Sequence, residues 1–173
     1  MDLPLESLRL TAIQFISRYA YENIPEILKA EESFENKKNQ GFEISPLQRL
    51  IEGGTKSLEA VSQSTLVDAL LSLVLRYQTN PEYLYPLIET FSYMVMYKKL
   101  AQHLCAKQIL RLVVDTVFLC EDFRSYMVRL CFEIIWNAID GIGVSAVEVF
   151  VDREVVFELK NLFKTIMAEG YKL

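Results

Sequence analysis

A predicted helix at Phe123–Gly143 reads FRSYMVRLCFEIIWNAIDGIG and contains the only tryptophan of the chain, Trp136. Nearly every residue from Tyr126 to Ile139 is apolar, and the polar side chains recur at steps of four, which places them on one narrow stripe of a helix. These polar residues are Ser125, Arg129, Glu133 and Asn137. We expect neighbouring helices to cover the remaining sides and Trp136 to lie in the core. An inner helix of an α-solenoid has this character.

The same spacing recurs in the predicted helix Ser64–Gln78, where Asp68, Ser72 and Arg76 lie four residues apart in an otherwise apolar sequence. No alternation of apolar and polar residues is long enough to predict a sheet, so the sequence predicts an all-α fold. A glycine pair, Gly53–Gly54, is expected to break a helix. The other predicted helices are Ser7–Glu22, Pro25–Phe34, Leu87–Tyr97, Leu100–Phe118 and one that begins after Asp152.

Three segments share the order of a short apolar end, a small or polar break and a renewed apolar stripe. They are LIEGGTKSL at 50–58, LCAKQILRL at 104–112 and VDREVVFEL at 151–159. Their unequal spacing is explained either by loops of variable length or by chance similarity among leucine-rich helices. Periods of this order are typical of armadillo and HEAT stacking. We therefore predict that residues 1–173 form a single armadillo/HEAT-like α-solenoid segment, with approximate repeats at 5–61, 62–120 and 121–170.

The composition excludes several classes of protein. The chain has 173 residues, 51% of them hydrophobic, and a formal net charge of −5. This content of apolar residues excludes disorder, and the absence of a basic tract argues against a nucleic-acid partner. No apolar run is long enough to predict a membrane-spanning helix, and no signal peptide is recognisable at the start. We expect a protein of the cytoplasm or cytoskeleton that does not bind membranes.

The sequence offers little catalytic chemistry. The single histidine, His103, lies two residues before Cys105, so the two side chains diverge on a helix and a zinc or Cys–His site is not expected. We interpret His103 as a hydrogen-bonded structural residue, and the three cysteines, Cys105, Cys120 and Cys131, as reduced core residues. Gly53–Gly54 lacks the spacing of a phosphate-binding loop. The sequence thus predicts a non-enzymatic protein with no catalytic residue, metal or cofactor.

Two segments resemble the armadillo repeat. LIEGGTKSLEAV, from Leu50, is similar to the break between its helices, and EIIWNAID resembles its inner helix, in which an asparagine corresponding to Asn137 faces the concave groove. The Trp-x-x-x-Asn pair of nuclear import adaptors is absent, because Asp140 stands four residues after Trp136.

The stretches FRSYMVRLCFEIIWNAIDG and VVFELKNLFKTIMAEG resemble the armadillo-type proteins of the ciliary central apparatus. This resemblance implies a structural component of a central-pair projection that supports motility in the axoneme of a cilium or flagellum. The implied partners are other projection proteins and the microtubule that they decorate.

The polar residues on the two striped helices have two interpretations. They are either a solvated helix edge, with Arg129 and Glu133 paired, or a concave surface that hydrogen-bonds a partner segment. The predicted partner-binding residues are Arg76, Asn80, Arg129, Glu133 and Asn137. The alternative fold and function is a compact helical adaptor domain that regulates a signalling or vesicle-tethering complex. A solenoid would set the Ser64–Gln78 and Phe123–Asp140 helices side by side and parallel, whereas neighbours in a bundle would be antiparallel.

Overall fold

The computed structural model describes residues 3–39, 45–120 and 125–143, together with Phe157, Lys160, Asn161 and Lys164. These ranges contain helices and no strand, so the prediction of an all-α fold is confirmed. The predicted helix after Asp152 and the break segment at 151–159 lie mostly outside the described residues. The helices are α1 (Leu3–Asn39), α2 (Ser45–Gln63), α3 (Leu66–Arg76), α4 (Pro81–Met94), α5 (Lys98–Ala106), α6 (Ile109–Leu119) and α7 (Tyr126–Ile142).

The first helix is longer than predicted, because it continues through Pro25 to Asn39. A proline inside a helix removes one backbone hydrogen bond and disfavours the preceding turn. Here α1 packs along α4 and α2 on both sides of the proline, and Ile13, Ala20 and Ile24 are buried in the common core. The sequence had predicted two separate helices here and a polar loop that begins near Asn36. Both predictions are wrong, because residues 3–39 form one helix.

The glycine pair Gly53–Gly54 does not break α2, contrary to the prediction. A Cβ atom added to Gly54 would lie 2.9 Å from Cγ1 of Ile27 on α1, whereas one added to Gly53 would have no neighbour within 4 Å. Gly54 is therefore a point of close approach between α1 and α2. The glycine thus serves a close contact between two helices, and it does not mark the predicted helix break.

The predicted helix Leu100–Phe118 is divided into α5 and α6 at Gln108, which has φ 62° and ψ 31°. This left-handed conformation turns the chain, and the Lys107 amide donates to the carbonyl oxygens of His103 and Leu104 at 3.2 and 3.1 Å. Leu104 and Ile109, on either side of the corner, are both completely buried. One straight helix could not have placed both apolar faces in the same core.

Helices α1 and α4 lie side by side and run in the same direction. The Tyr83 hydroxyl donates to the Glu6 carbonyl oxygen at 3.1 Å near the start of both helices. Further along, the Tyr21 and Tyr93 rings meet edge to face with centroids 5.4 Å apart. Because the contacts advance along both helices together, α1 and α4 are parallel.

Helix α7 lies on the other side of α4 and is also parallel to it. The rings of Tyr85 and Tyr126, each near the start of its helix, stack with centroids 5.5 Å apart. Two turns further along α4, Tyr93 lies within electrostatic range of Glu133, which is two turns further along α7. The helices α1, α4 and α7 thus form one layer of parallel neighbours, which we call the parallel layer.

The remaining helices pack against this layer. Helix α2 contacts α1, α3 and α5, and both α5 and α6 contact α7. The neighbours of α3 are α2 and α4, so the principal contacts do not pair α3 with α7. The expectation that the Ser64–Gln78 and Phe123–Asp140 helices are adjacent is therefore wrong, because α4 occupies that place beside α7.

Trp136 is 72% exposed, so the prediction that it lies in the core is wrong. Helix α7 has apolar side chains around most of its circumference, but α4, α5 and α6 cover only one side of it. The residues of that buried side are Val128, Leu130, Cys131, Ile134, Ile135 and Ala138. Trp136 lies on the opposite side together with the partly exposed Ile139.

Candidate functional site

Helix α4 is the most enclosed element of the parallel layer. From Tyr83 to Met94 its side chains are buried, except for Tyr85, Glu89 and Tyr93, which are partly open. Their spacing of four residues places these three side chains on one stripe of the helix. The sequence had predicted a narrow open stripe of this kind on α7, and the structure shows one on α4.

A surface groove of about 570 Å³ lies over this stripe, between α1 and α7. We call it the tyrosine groove, because tyrosines from all three helices of the parallel layer contribute to it. A groove whose walls belong to separate helices has a shape that depends on how those helices pack. Its lining residues are Gln14, Ser17, Arg18, Tyr21 and Glu22 of α1, Pro86, Glu89 and Tyr93 of α4, and Tyr126 of α7.

Glu89 forms the acidic centre of the groove. Its Oε2 accepts a hydrogen bond from Ser17 Oγ at 2.8 Å, and Ser17 is only 4% exposed. In the part of the chain that the structure describes, no basic side chain pairs with Glu89. The nearby Arg18 instead donates to Glu22 on its own helix at 2.8 Å. The groove therefore contains a carboxylate that is held in place by a neutral donor.

Helix α7 contains three of the predicted partner-binding residues, none of which lines the groove itself. Arg129 Nε donates to Glu133 Oε1 at 3.0 Å, and the Arg129 guanidinium lies 5.8 Å from the centroid of the Tyr126 ring. Asn137 follows one turn later and is half-buried. Ser125 caps α7, because its hydroxyl accepts from the Val128 amide at 3.4 Å. The structure brings Arg129 and Glu133 together on α7 and places Arg129 beside Tyr126, the α7 residue that lines the groove.

Arg76 and Asn80 lie at the junction of α3 and α4. Arg76 Nη2 is 3.4 Å from Glu6 Oε1, and its guanidinium lies 5.5 Å from the centroid of the Tyr77 ring. Asn80 caps α4 by accepting from the Glu82 amide at 3.2 Å. Among the described residues neither side chain pairs with α7. The five predicted residues therefore form two groups, one beside the first turns of α1 and α4 and one on α7.

Sequence reasoning did not include Tyr85, Glu89 or Tyr93 among the predicted partner-binding residues. The signal was present, since these polar or amphipathic residues recur at steps of four in a strongly apolar segment. Glu89 is also the only charged residue between Glu82 and Lys98. Tyrosine obscured the pattern, because its ring suits both a core and a binding surface.

The tyrosine hydroxyls of α4 are held in the protonated form. Burial, with a further contribution from the Glu89 charge, raises the pKa of Tyr93 to about 12. Burial and the neighbouring Tyr126 also raise the pKa of Tyr85. Both side chains therefore keep their hydroxyl protons at neutral pH, and each can donate one hydrogen bond.

Other reactive side chains lie in the apolar interior. Burial raises the pKa of the Cys105 thiol to about 11 and that of Cys131 to about 12, so both remain protonated at neutral pH. None of the three cysteines forms a disulfide, and Cys120 is only partly buried. His103 Nε2 is buried without a hydrogen-bond partner, so the interpretation of His103 as a hydrogen-bonded residue is wrong for this atom.

The described residues contain no cluster of three or more histidine, cysteine, aspartate or glutamate side chains arranged to hold a metal ion. No single helix among them is long and apolar enough to cross a membrane, although Gly53–Gln63 and Leu66–Arg76, bent by 57°, reach that length and composition as a pair. The sequence matches no protein-family model, and no curated protein or solved structure shows significant similarity to the chain.

Proposed function

We propose that this chain is a non-enzymatic scaffold of the armadillo type, which binds partner proteins along the open face of its parallel layer. The observation that supports this proposal is the parallel direction of α1, α4 and α7. Equivalent helices of successive solenoid repeats run the same way, whereas helices joined by short loops in a bundle alternate in direction. The sequence criterion for a solenoid paired α3 with α7, and that pairing is not found, but α4 takes the place of α3 beside α7. On the direction of the helices we favour a solenoid over a compact bundle.

The connections between the parallel helices support the same proposal. Two helices, α2 and α3, separate α1 from α4, and two more, α5 and α6, separate α4 from α7. Each step along the layer therefore uses three helices, as an armadillo repeat does. On this basis we propose α2–α4 and α5–α7 as two units, with α1 as the last helix of a preceding one. This division replaces the repeat boundaries at residues 61 and 120 with boundaries near the ends of α1, α4 and α7.

The resemblance of 123–141 to armadillo-type proteins of the ciliary central apparatus supplies the biological setting. Within that group the stretch resembles a segment of cilia- and flagella-associated protein 69. We propose that the chain is a part or a shortened relative of such a protein, located in the axoneme. There it would bind other projection proteins, and through them the microtubule, and support motility.

The test is cross-linking and affinity purification of the tagged chain from ciliated cells, with two matched variants. Arg129→Ala with Asn137→Ala changes two of the predicted partner-binding residues of α7, and Lys56→Ala with Ser57→Ala changes exposed residues of α2. We expect the first variant to lose central-apparatus proteins and the second to retain them, while both melt like the unaltered chain. Equal recovery from both variants, or no axonemal protein from the unaltered chain, would contradict the proposed function.

A further inference from the structure

Among the residues that the structure describes, no cation compensates the negative charge at the centre of the tyrosine groove. Among the lining residues one arginine, Arg18, stands against two glutamates, Glu22 and Glu89. Arg18 is already paired with Glu22, and in the described part of the chain the Glu89 carboxylate accepts a side-chain hydrogen bond only from the neutral Ser17 hydroxyl. An uncompensated carboxylate in a partly enclosed site attracts positive charge more strongly than one in open water. The charge of Glu89 is therefore complementary to a cationic group.

The rings around Glu89 favour the same ligand. Tyr21 and Tyr93 meet edge to face at one side of the groove, and Tyr126 lies at the α7 side. Cations bind over the faces of aromatic rings, with a gain that increases when water is excluded. The molecule provides its own example, because the Arg129 guanidinium lies 5.8 Å from the centroid of the Tyr126 ring.

A guanidinium matches these groups better than an ammonium. It is planar and weakly hydrated, so it can make paired hydrogen bonds to a carboxylate while its face stacks on an aromatic ring. An ammonium is a compact and strongly hydrated charge that lacks the planar fork, so it makes these two contacts together less readily. The groove, at about 570 Å³, is open along its length and has room beside one side chain for neighbouring residues of a polypeptide.

We propose that the tyrosine groove binds an arginine side chain of a partner protein, whose guanidinium pairs with Glu89 beside the rings of Tyr21 and Tyr93, while Tyr126 bounds the α7 side of the groove. This inference rests on the proposed scaffold function, because it names the chemistry of the partner at the same surface. In this proposal the three helices of the parallel layer have different roles. The α4 residue supplies the charge, and α1 and α7 supply the walls.

The test uses N-acetyl-arginine amide and N-acetyl-citrulline amide, which have similar shapes and differ in side-chain charge. Each is titrated into the full chain with ring-labelled tyrosines, and binding is followed by nuclear magnetic resonance. We expect saturable shifts at Tyr21, Tyr93 and Tyr126 with the arginine probe, and binding of the citrulline probe that is about tenfold weaker. Equal affinities for the two probes would overturn the inference.

Two variants identify the residues responsible. Glu89→Gln keeps an acceptor for Ser17 and removes the charge, so it should weaken binding of the arginine probe about tenfold. Glu82→Gln, an exposed residue on the same helix outside the groove, should leave the affinity unchanged. If Glu89→Gln does not fold, Tyr21→Leu serves instead, because Tyr21 lines the groove and is 60% exposed, and the loss of its ring should weaken binding severalfold. Unchanged affinity in the folded groove variant would contradict the proposal.

The arginine site and the scaffold function can fail separately. If neither probe is preferred but axonemal proteins are still captured through α7, the arginine inference is wrong and the scaffold function stands. If the arginine probe binds as expected but no protein is captured through the parallel layer, the scaffold function is wrong and the cation site remains.

Discussion

Ser17 Oγ on α1 donates a hydrogen bond of 2.8 Å to Glu89 Oε2 on α4, across 72 positions of sequence. The bond joins two helices of the parallel layer at the middle of their contact, and it fixes the position of the carboxylate at the centre of the tyrosine groove. A single serine hydroxyl thereby contributes both to the packing of α1 and to the geometry of the candidate site.

Ser17→Ala is expected to lower the free energy of unfolding by about 1–2 kcal/mol, because it removes the donor to a partly buried carboxylate. The matched control is Thr11→Ala on the same helix. The exposed Thr11 hydroxyl donates only to the Ser7 carbonyl oxygen, so this change should have almost no effect. Urea unfolding followed by circular dichroism measures both. Equal stabilities of the two variants would show that the Ser17–Glu89 bond contributes nothing to folding.

The glycine pair of α2 permits a comparison of two adjacent alanine substitutions. Gly53→Ala should raise the free energy of unfolding by about 0.5–1 kcal/mol, because alanine favours a helix and its Cβ meets nothing within 4 Å. Gly54→Ala has the same helical gain but places a Cβ 2.9 Å from Ile27, so it should gain less or lose stability. Thermal and urea unfolding of both variants provide the measurement. An equal gain at the two positions would contradict the close approach of α1 and α2.

Trp136→Ala is expected to change the free energy of unfolding by less than about 1 kcal/mol, because the side chain is 72% exposed. Ile134→Ala on the buried side of α7 is the comparison and should cost about 2–5 kcal/mol. Intrinsic fluorescence gives an independent check, since Trp136 is the only tryptophan and should be quenched readily by a soluble quencher. A large loss of stability on removing Trp136 would show that it packs against another surface.

The attachment of the first turn of α1 should depend on acid pH through Glu6. The Tyr77 hydroxyl donates to Glu6 Oε2 at 2.5 Å, and this bond, together with Arg9 and Arg76, lowers the pKa of Glu6 below its ordinary 4.5. Because the folded state holds this proton less tightly than the unfolded state, the stabilisation is complete above about pH 4.5 and is lost as the pH falls through the lowered pKa.

Glu6→Gln should therefore be less stable than the unaltered chain at neutral pH, and the difference should shrink as the pH falls below about 4.5. Urea midpoints measured across this range provide the test. Glu26→Gln, an exposed position of the same helix, is the control for removing one negative charge. A difference that stays constant through the acid range would exclude Glu6 as the group responsible.

Local patterns predicted the class of fold and part of the site. The steps of four in the sequence placed Arg129 and Glu133 on one stripe, and the structure joins them at 3.0 Å. Such information is available because a helix fixes which residues share a face, whatever surrounds it. The same pattern was present at Tyr85, Glu89 and Tyr93, but only the packing of α1 and α7 turns that stripe into a groove.

The wrong predictions concern features that depend on neighbours. Periodicity shows that Trp136 belongs to an apolar surface, but whether another helix covers that surface depends on the arrangement of α4, α5 and α6. Pro25 is an unfavourable helix residue whose cost is offset by contacts that a local pattern does not contain. The corner at Gln108 likewise depends on the burial of residues on both sides, since glutamine rarely adopts a left-handed backbone.

The common direction of α1, α4 and α7 gives the groove an electrical polarity. Helices that run the same way add their dipoles, so the end of the groove near Tyr85 and Tyr126 is the more positive one, and the far end the more negative. Glu6 and Glu82 stand in the first turns of α1 and α4, where negative charge is favoured. An extended partner with charge at one end would therefore bind along the groove in one preferred direction, with its negative end at the helix N-termini.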